Sequence, residues 1–279
     1  MPDYTLITGA SEGLGKAFAL ECARKNMNLI LVALPGIELY QLSSYIRRRY
    51  NVMVCEFETD LSQEENCLSL WKMIKENNLS VNMLINNAGI GGTRKFNSTD
   101  YSLWQKHIQL NITGTVHLTH LLLPELKRHQ DSYILNVSSL AAFFFMPEKQ
   151  VYGATKSFIY FFSKSLRREL KKERVHVTVV CPGGINTSPV HYLLNHSSSW
   201  ITKASSMSPE EVARIAIEGL LKGNERVIPG KWNHFFIYLD RILPAFVKEK
   251  LICKQVVTMN QHYAESLVRG NIVAIRKSA

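Results

Sequence analysis

The sequence predicts an α/β fold: a doubly wound parallel sheet of about seven strands flanked by helices. Three observations predict it. Short β-branched apolar runs alternate with stretches of helical period as far as about residue 230, the pattern of βαβ units. The runs are near-continuously apolar, as strands covered on both faces must be. The glycine-, asparagine- and serine-rich motifs each follow the end of such a run, and ligands of these sheets bind outside the C-terminal ends of the strands.

Thr5-Leu6-Ile7 reads as the first strand and enters Thr8-Gly9-Ala10-Ser11-Glu12-Gly13-Leu14-Gly15. A helical pattern through Ala17, Phe18, Leu20, Cys22 and Ala23 follows. Leu29 to Val32 is a second strand and Ile37 to Arg49 a helix with basic residues. Val52 to Phe57 is the third strand and Gln63 to Asn77 the next helix. Val81 to Ile85 forms a fourth strand that ends in Asn86-Asn87-Ala88-Gly89. A long helix spans Thr99 to Lys127. Tyr133 to Val137 is a strand closed by Ser138-Ser139, and Tyr152 opens a helix that reaches Lys172. Val175 to Val180 ends in Cys181-Pro182-Gly183. Ser208-Pro209-Glu210-Glu211 supplies a cap, a proline at the first helical position and a capping-box glutamate, so a helix to about Lys222 should follow, then a short strand at Arg226 to Ile228. Beyond it, Trp232, Phe235, Phe236, Leu239, Ile242, Leu243, Phe246 and Val247 recur at helical spacing, with Pro244 as a break. This predicts a C-terminal amphipathic helical extension.

Composition bounds the function. The 279 residues, 46% of them hydrophobic, can bury one large core. Lysine and arginine number 33 against 23 acidic residues, a net charge of +10, so the surface attracts anions. The densest basic clusters, Arg47 to Arg49 and Arg167-Arg168 with Lys171-Lys172, read as solvated helix faces. No aromatic platform accompanies them, and no nucleic-acid partner is expected. The cysteines, Cys22, Cys55, Cys67, Cys181 and Cys253, form no CxxC pair and no metal-ligand spacing, so free thiols in a reducing cytosol and no metal are expected. No basic region precedes the first apolar run, and no run offers 18 apolar residues. A cytoplasmic location follows as an expectation.

The candidate chemistry lies in three places. Tyr152 and Lys156 are four apart and share a helix face. A phenol titrates near 10; an ammonium beside it should lower that value and let the tyrosine trade a proton with an alcohol or carbonyl. Ser139 lies thirteen residues upstream of the tyrosine. Gly9, Gly13 and Gly15 follow a strand and precede a helix, where glycine admits a tight turn and a close pyrophosphate, and the helix N-terminus offers N–H groups and a positive dipole end.

With these residues in place, the chain resembles the short-chain dehydrogenase/reductase family, most of all its general bacterial-type reductases. The matching residues are Thr8-Gly9 through Gly15, Asn86 to Gly89, Asn111, Ser139, Tyr152 with Lys156, and Pro182-Gly183 through Thr187. The resemblance covers roughly residues 3–230, on one Rossmann-type domain. It implies a dinucleotide-binding domain over 1–230 that contains the catalytic residues, and an extension with a basic tail over 231–279. It implies that Tyr152 is the general acid/base, that Lys156 lowers its pKa and holds the nicotinamide ribose, that Ser139 binds the substrate oxygen, and that Asn111 anchors a proton relay. The implied cofactor contacts are Gly9, Ser11, Gly13, Leu14, Gly15, Asp60, Leu61, Asn87, Ala88, Gly89, Tyr152, Lys156, Pro182, Gly183, Ile185 and Thr187. Asp60 reads equally as a helix cap before Gln63. The implied activity is NAD(P)-dependent interconversion of a secondary alcohol and a ketone or aldehyde. A dinucleotide-sensing regulator without turnover is the alternative.

The end of the second strand, Ala33-Leu34-Pro35-Gly36, carries neither the acidic residue that suits NAD nor the basic one that suits NADP. NADP(H) is favoured from the related reductases, with NAD(H) use also expected. Phe143-Phe144-Phe145-Met146 points to an apolar or lipid-like small-molecule substrate, or else to a packed turn. Ser188 to Met207, with His191 and His196, reads as a polar lid. The helices from Thr99 and Tyr152 commonly form a dimer face in relatives, so a homodimer or homotetramer is implied. The C-terminal stripe leaves three readings open: packing on its own domain, closing a dimer, or peripheral membrane contact through 232–252.

Overall fold

The structure is a computed structural model that describes residues 2–187 and 200–243. In chain order it runs β1 (Asp3–Thr8), α1 (Gly13–Arg24), β2 (Asn28–Ala33), α2 (Ile37–Arg49), β3 (Val54–Glu58), α3 (Glu64–Glu76) and β4 (Ser80–Asn86). Then come α4 (Tyr101–Ile108), α5 (Thr115–Leu126), β5 (Ser132–Val137), α6 (Gln150–Glu169) and β6 (Val175–Val180). After them stand α7 (Trp200–Ser205), α8 (Pro209–Leu221), β7 (Arg226–Val227) and α9 (Lys231–Ile242). The seven strands form one sheet in the order β3-β2-β1-β4-β5-β6-β7. Every neighbouring pair is parallel. The order reverses between β1 and β4, which opens a crevice at the C-terminal ends of these two strands.

Strand residues one apart serve opposite faces. Ile7, Leu29 and Leu31 pack under Phe18 of α1, Ile46 of α2 and Ala216 of α8. Leu6, Ile30 and Leu84 pack under Leu70 of α3 and Leu122 of α5. The period-two alternation therefore stays hidden in the sequence, because both faces are apolar. Several helix ends are closed by left-handed residues: Asn26 (φ 60°) after α1 and Asn78 (φ 50°) after α3, as the stop of a helix favours.

The structure corrects some expectations. The helix expected over Thr99 to Lys127 runs without a gap from Tyr101 to Leu126, but widens into a π-helical turn, Gln109–Gly114, between α4 and α5. A side chain at Gly114 would meet the Leu61 carbonyl at 2.5 Å, so the segment passes against the turn after β3. Helix α6 begins at Gln150 rather than at Tyr152. Asp60 does not cap α3, whose N-cap is Gln63; its carboxylate instead accepts from the Ser62 N–H at 3.0 Å. Of the expected lid, residues 188–199, including His191 and His196, lie outside the described residues, while Trp200–Ser205 is a helix. Ser208 caps α8 as expected, accepting from the Glu211 N–H at 3.2 Å.

Helix α9 buries Asn233 and Ile237 against its own domain and leaves Trp232, Phe235 and Tyr238 exposed. Packing on the domain is thus true of its inner face. The rest of the stripe, from Pro244 on, lies outside the described residues. No helix among the described residues is long and apolar enough to cross a membrane.

Candidate active site

The C-terminal ends of β1, β4, β5 and β6 bring most of the singled-out residues together. Gly9 (φ 62°) and Gly13 (φ 52°) take left-handed backbone. A β-carbon on Gly15 would run into the Gly9 carbonyl, and one on Gly9 would stand 2.9 Å from the Ala88 backbone. The turn after β1 is thus wound tightly enough to exclude side chains. Asn87 braces it: its Nδ2 donates to the Thr8 carbonyl at 2.9 Å and the Gly9 carbonyl at 3.1 Å. Thr8 Oγ1 accepts from the Asn87 and Ala88 N–H groups, both at 2.9 Å. Gly13 faces the Thr187 methyl, 3.1 Å from where its β-carbon would be, so the loop after β6 closes over this turn. Helix α1 begins beside Glu12 with no side-chain cap and no acidic residue in its first turn. Its free N–H groups and positive dipole end face the loop. Side-chain-free backbone, open N–H donors and a helix N-terminus together suit a pyrophosphate, so the residues present fit a dinucleotide.

Around Tyr152, four elements converge. Lys156 is buried on α6, and its Nζ donates to the Val137 carbonyl at 2.8 Å, at the end of β5. Ser138 Oγ ties the same turn of α6 down by donating to the Lys156 carbonyl at 2.7 Å. Asn111 sits in the π turn, where its Oδ1 accepts from the Ile90 N–H at 2.8 Å. Its Nδ2 donates to the Ile90 carbonyl at 3.0 Å and to Thr155 Oγ1 at 3.0 Å. A β-carbon on Gly89 would meet Asn111 Oδ1 at 3.1 Å and Lys156 Nζ at 3.4 Å. Asn111, Gly89 and Lys156 therefore share one small space. Ser139 accepts from the Ala141 N–H at 3.1 Å, and its hydroxyl lies near enough to Tyr152 to favour the phenolate.

The electrostatics differ from expectation. Burial pushes the Tyr152 phenol above its ordinary value, and the Ser139 hydroxyl only partly offsets this. Lys156 Nζ lies 5.9 Å from the Tyr152 ring centroid, with its proton directed at Val137. The acidified phenol foreseen from the spacing is therefore absent from this geometry. Burial instead lowers Lys156 to about 8, with the Cys181 thiol pulling the other way. Cys181 itself is pushed up to about 12 by burial, which makes it an inert core thiol.

Asp60 and Leu61 stand beside the crevice, on the α4–α5 side. Partial burial pushes the Asp60 carboxyl up, but the Ser62 N–H and hydroxyl and the Lys106 ammonium outweigh it and hold it below the usual range. Lys106 Nζ lies 3.3 Å from its Oδ2. Pro182 and Gly183 are held from behind: a β-carbon on Gly183 would meet the Ser205 carbonyl and, at 2.9 Å, Asn233 Nδ2. Ile185 pairs with Met207 in an isolated bridge. At the other rim, the Gly36 N–H donates to Glu58 at 3.1 Å.

The sequence profile described as short chain dehydrogenase matches residues 3–197. The chain belongs to that family. It is an oxidoreductase acting on the CH–OH/C=O pair. It is similar to human 17-beta-hydroxysteroid dehydrogenase type 3, 30% identical over 226 residues, which cover 78% of this chain and 70% of the human protein. Among solved structures it is similar to a short-chain dehydrogenase from Sphingobium yanoikuyae in complex with NADPH. The TM-score is 0.73 at 26% identity, over 88% of this chain and 97% of that one. A 7beta-hydroxysteroid dehydrogenase superposes with a TM-score of 0.80 at 25% identity, over 91% of this chain and 96% of that one.

Sequence reasoning singled out Asn86 but missed its partners and several other residues of this short-chain dehydrogenase's site. A buried polar rail holds α5 and α6 on the sheet. Asn86 Nδ2 donates to Thr119 Oγ1 at 3.0 Å and Asn136 Oδ1 at 2.8 Å, and Asn136 Nδ2 donates to Ser163 at 2.9 Å. Polar residues inside apolar strands were the available signal. Lys149, whose Nζ lies 6.0 Å from the Tyr152 ring centroid, was also missed. Its place one helical turn before the tyrosine was the signal.

Proposed function

We propose that this dehydrogenase interconverts a secondary alcohol with a ketone or aldehyde that has an apolar body, using NADP(H) by preference and NAD(H) as well. The observation that carries the reading is Ser139 and Tyr152 placed together with buried Lys156, beside a glycine turn that fits a dinucleotide. A nicotinamide dinucleotide bound there supplies or accepts the hydride. Ser139 and Tyr152 hold the substrate oxygen between two hydroxyls. With its phenol kept protonated by burial, Tyr152 donates to that oxygen as negative charge develops on it. The Lys156 ammonium is the cation that turns from the Val137 carbonyl to the phenolate left behind, and Asn111, one contact from Lys156 across Gly89, holds the path by which the proton returns. In the turn after Ser139, Phe143 and Phe144 pack on the cluster of Leu140 and Tyr160, and this apolar turn supports a substrate with an apolar body. The NADPH complex of the Sphingobium relative supports the cofactor. The charge-free Ala33-Leu34-Pro35-Gly36 turn supports discrimination between the two dinucleotides of less than roughly tenfold, about 1.4 kcal/mol. We also infer a homo-oligomer through the exposed faces of α4 and α6.

Screening ketones and aldehydes by nicotinamide absorbance, with both cofactors, tests the reading. Tyr152→Phe should bind dinucleotide as the native protein does and lose roughly 10²–10⁴-fold in turnover. Full turnover in that variant defeats the reading.

A further inference from the structure

Lys149 is the feature of the site that the proposed reaction does not use. It is the N-cap residue of α6 and its side chain makes no cap bond. The residue is half-buried; its ammonium makes no ion pair or hydrogen bond among the described residues and lies 6.0 Å from the Tyr152 ring centroid. Lys156 lies at 5.9 Å from the same ring, so two ammonium groups flank the phenol.

Three things oppose this placement. Burial disfavours the charged form of Lys149. The positive end of the α6 dipole repels a cation at its first turn. The preceding residue, Glu148, is left-handed at φ 62°, which costs a residue with a β-carbon about 1 kcal/mol or more. That turn is pinned by the Arg94 N–H, which donates to the Glu148 carbonyl at 2.7 Å. The fold thus holds an unpaired cation 6.0 Å from the ring of the reacting tyrosine, next to a strained residue. An anion brought by the substrate would relieve all the electrostatic costs at once.

We propose that Lys149 is a specificity-determining residue that takes an acidic group, a carboxylate in the simplest case, carried by the substrate close to its reacting carbonyl. The substrate is then amphipathic: an oxo group between Ser139 and Tyr152, an acid on Lys149, and an apolar body. This deepens the proposed function and rests on it.

The test compares α-keto and γ-keto acids of matched apolar chain with their methyl esters, using both nicotinamide cofactors. The native protein should prefer acid over ester in kcat/KM by about 10- to 100-fold, the range of a charge-assisted hydrogen bond. Lys149→Met should bring that ratio close to one, and Lys149→Arg should restore part of it. The ratio cancels any general loss of activity in the variants. Esters turned over by the native protein with no acid preference overturn the subsite and leave the oxidoreductase reading standing. A preference that survives in Lys149→Met also overturns it. No turnover of either class with either cofactor brings down the reading beneath it, and the subsite with it.

Discussion

Lys156 carries its charge against its surroundings. Burial lowers it to about 8 from an ordinary 10.5, so between those values the folded protein has released a proton that the unfolded chain still binds. Stability gained from this residue must therefore rise with pH across that window. Set against Lys156→Met, the native protein should gain on the order of 1–2 kcal/mol between pH 7.5 and 9.5, read from urea unfolding of both proteins at the two pH values. A constant difference would show that the ammonium is well solvated. Asn111 invites a second test. Its amide satisfies both backbone groups of Ile90 and touches Thr155, so Asn111→Ala should cost about 1–3 kcal/mol of stability, as buried polar groups lose partners. The spacing of Tyr152 and Lys156 was legible as shared helix face. The direction of the lysine proton was not, since it depends on the Val137 carbonyl of a distant strand.

At the scale of elements, the turn from β1 into α1 is the most constrained piece of chain. Gly15→Ala would place a carbon against the Gly9 carbonyl and 2.7 Å from Asn87 Nδ2. The expected result is a loss of about 1–3 kcal/mol from overpacking, with weakened dinucleotide binding, checked by thermal unfolding with and without NADPH. Native stability and binding in that variant would mean that the turn can open. The strand-before and helix-after pattern made this element readable from the sequence alone. Helix α2 and strand β6 also match their predicted ranges, Ile37–Arg49 and Val175–Val180. The π turn at Gln109–Gly114 was not readable. Apolar periodicity runs through it unbroken, and the extra residue per turn answers to the approach of Leu61 to Gly114.

Over the whole molecule, the exposed apolar residues of α4 and α6 stand out: Tyr101 at 74% and Phe161 at 67% exposure, with Ile108 and Phe158 nearby on the same two helices. These two helices pack against each other, and exposed apolar residues gathered on neighbouring helices mark association. Sedimentation should show concentration-dependent dimers or tetramers, and Phe161→Glu should shift them toward monomer. An unchanged mass in that variant would place the interface elsewhere. By itself, the sequence determined the order of the strands and of most helices, the parallel sheet of about seven strands and the chemical groups at its C-terminal edge, because these follow from local periodicity and short motifs. Only the tertiary structure decided which of those groups meet, how burial sets their proton affinities, and that Lys149 lies against Tyr152. Contact and desolvation depend on atoms far apart in the chain, and no local pattern encodes them.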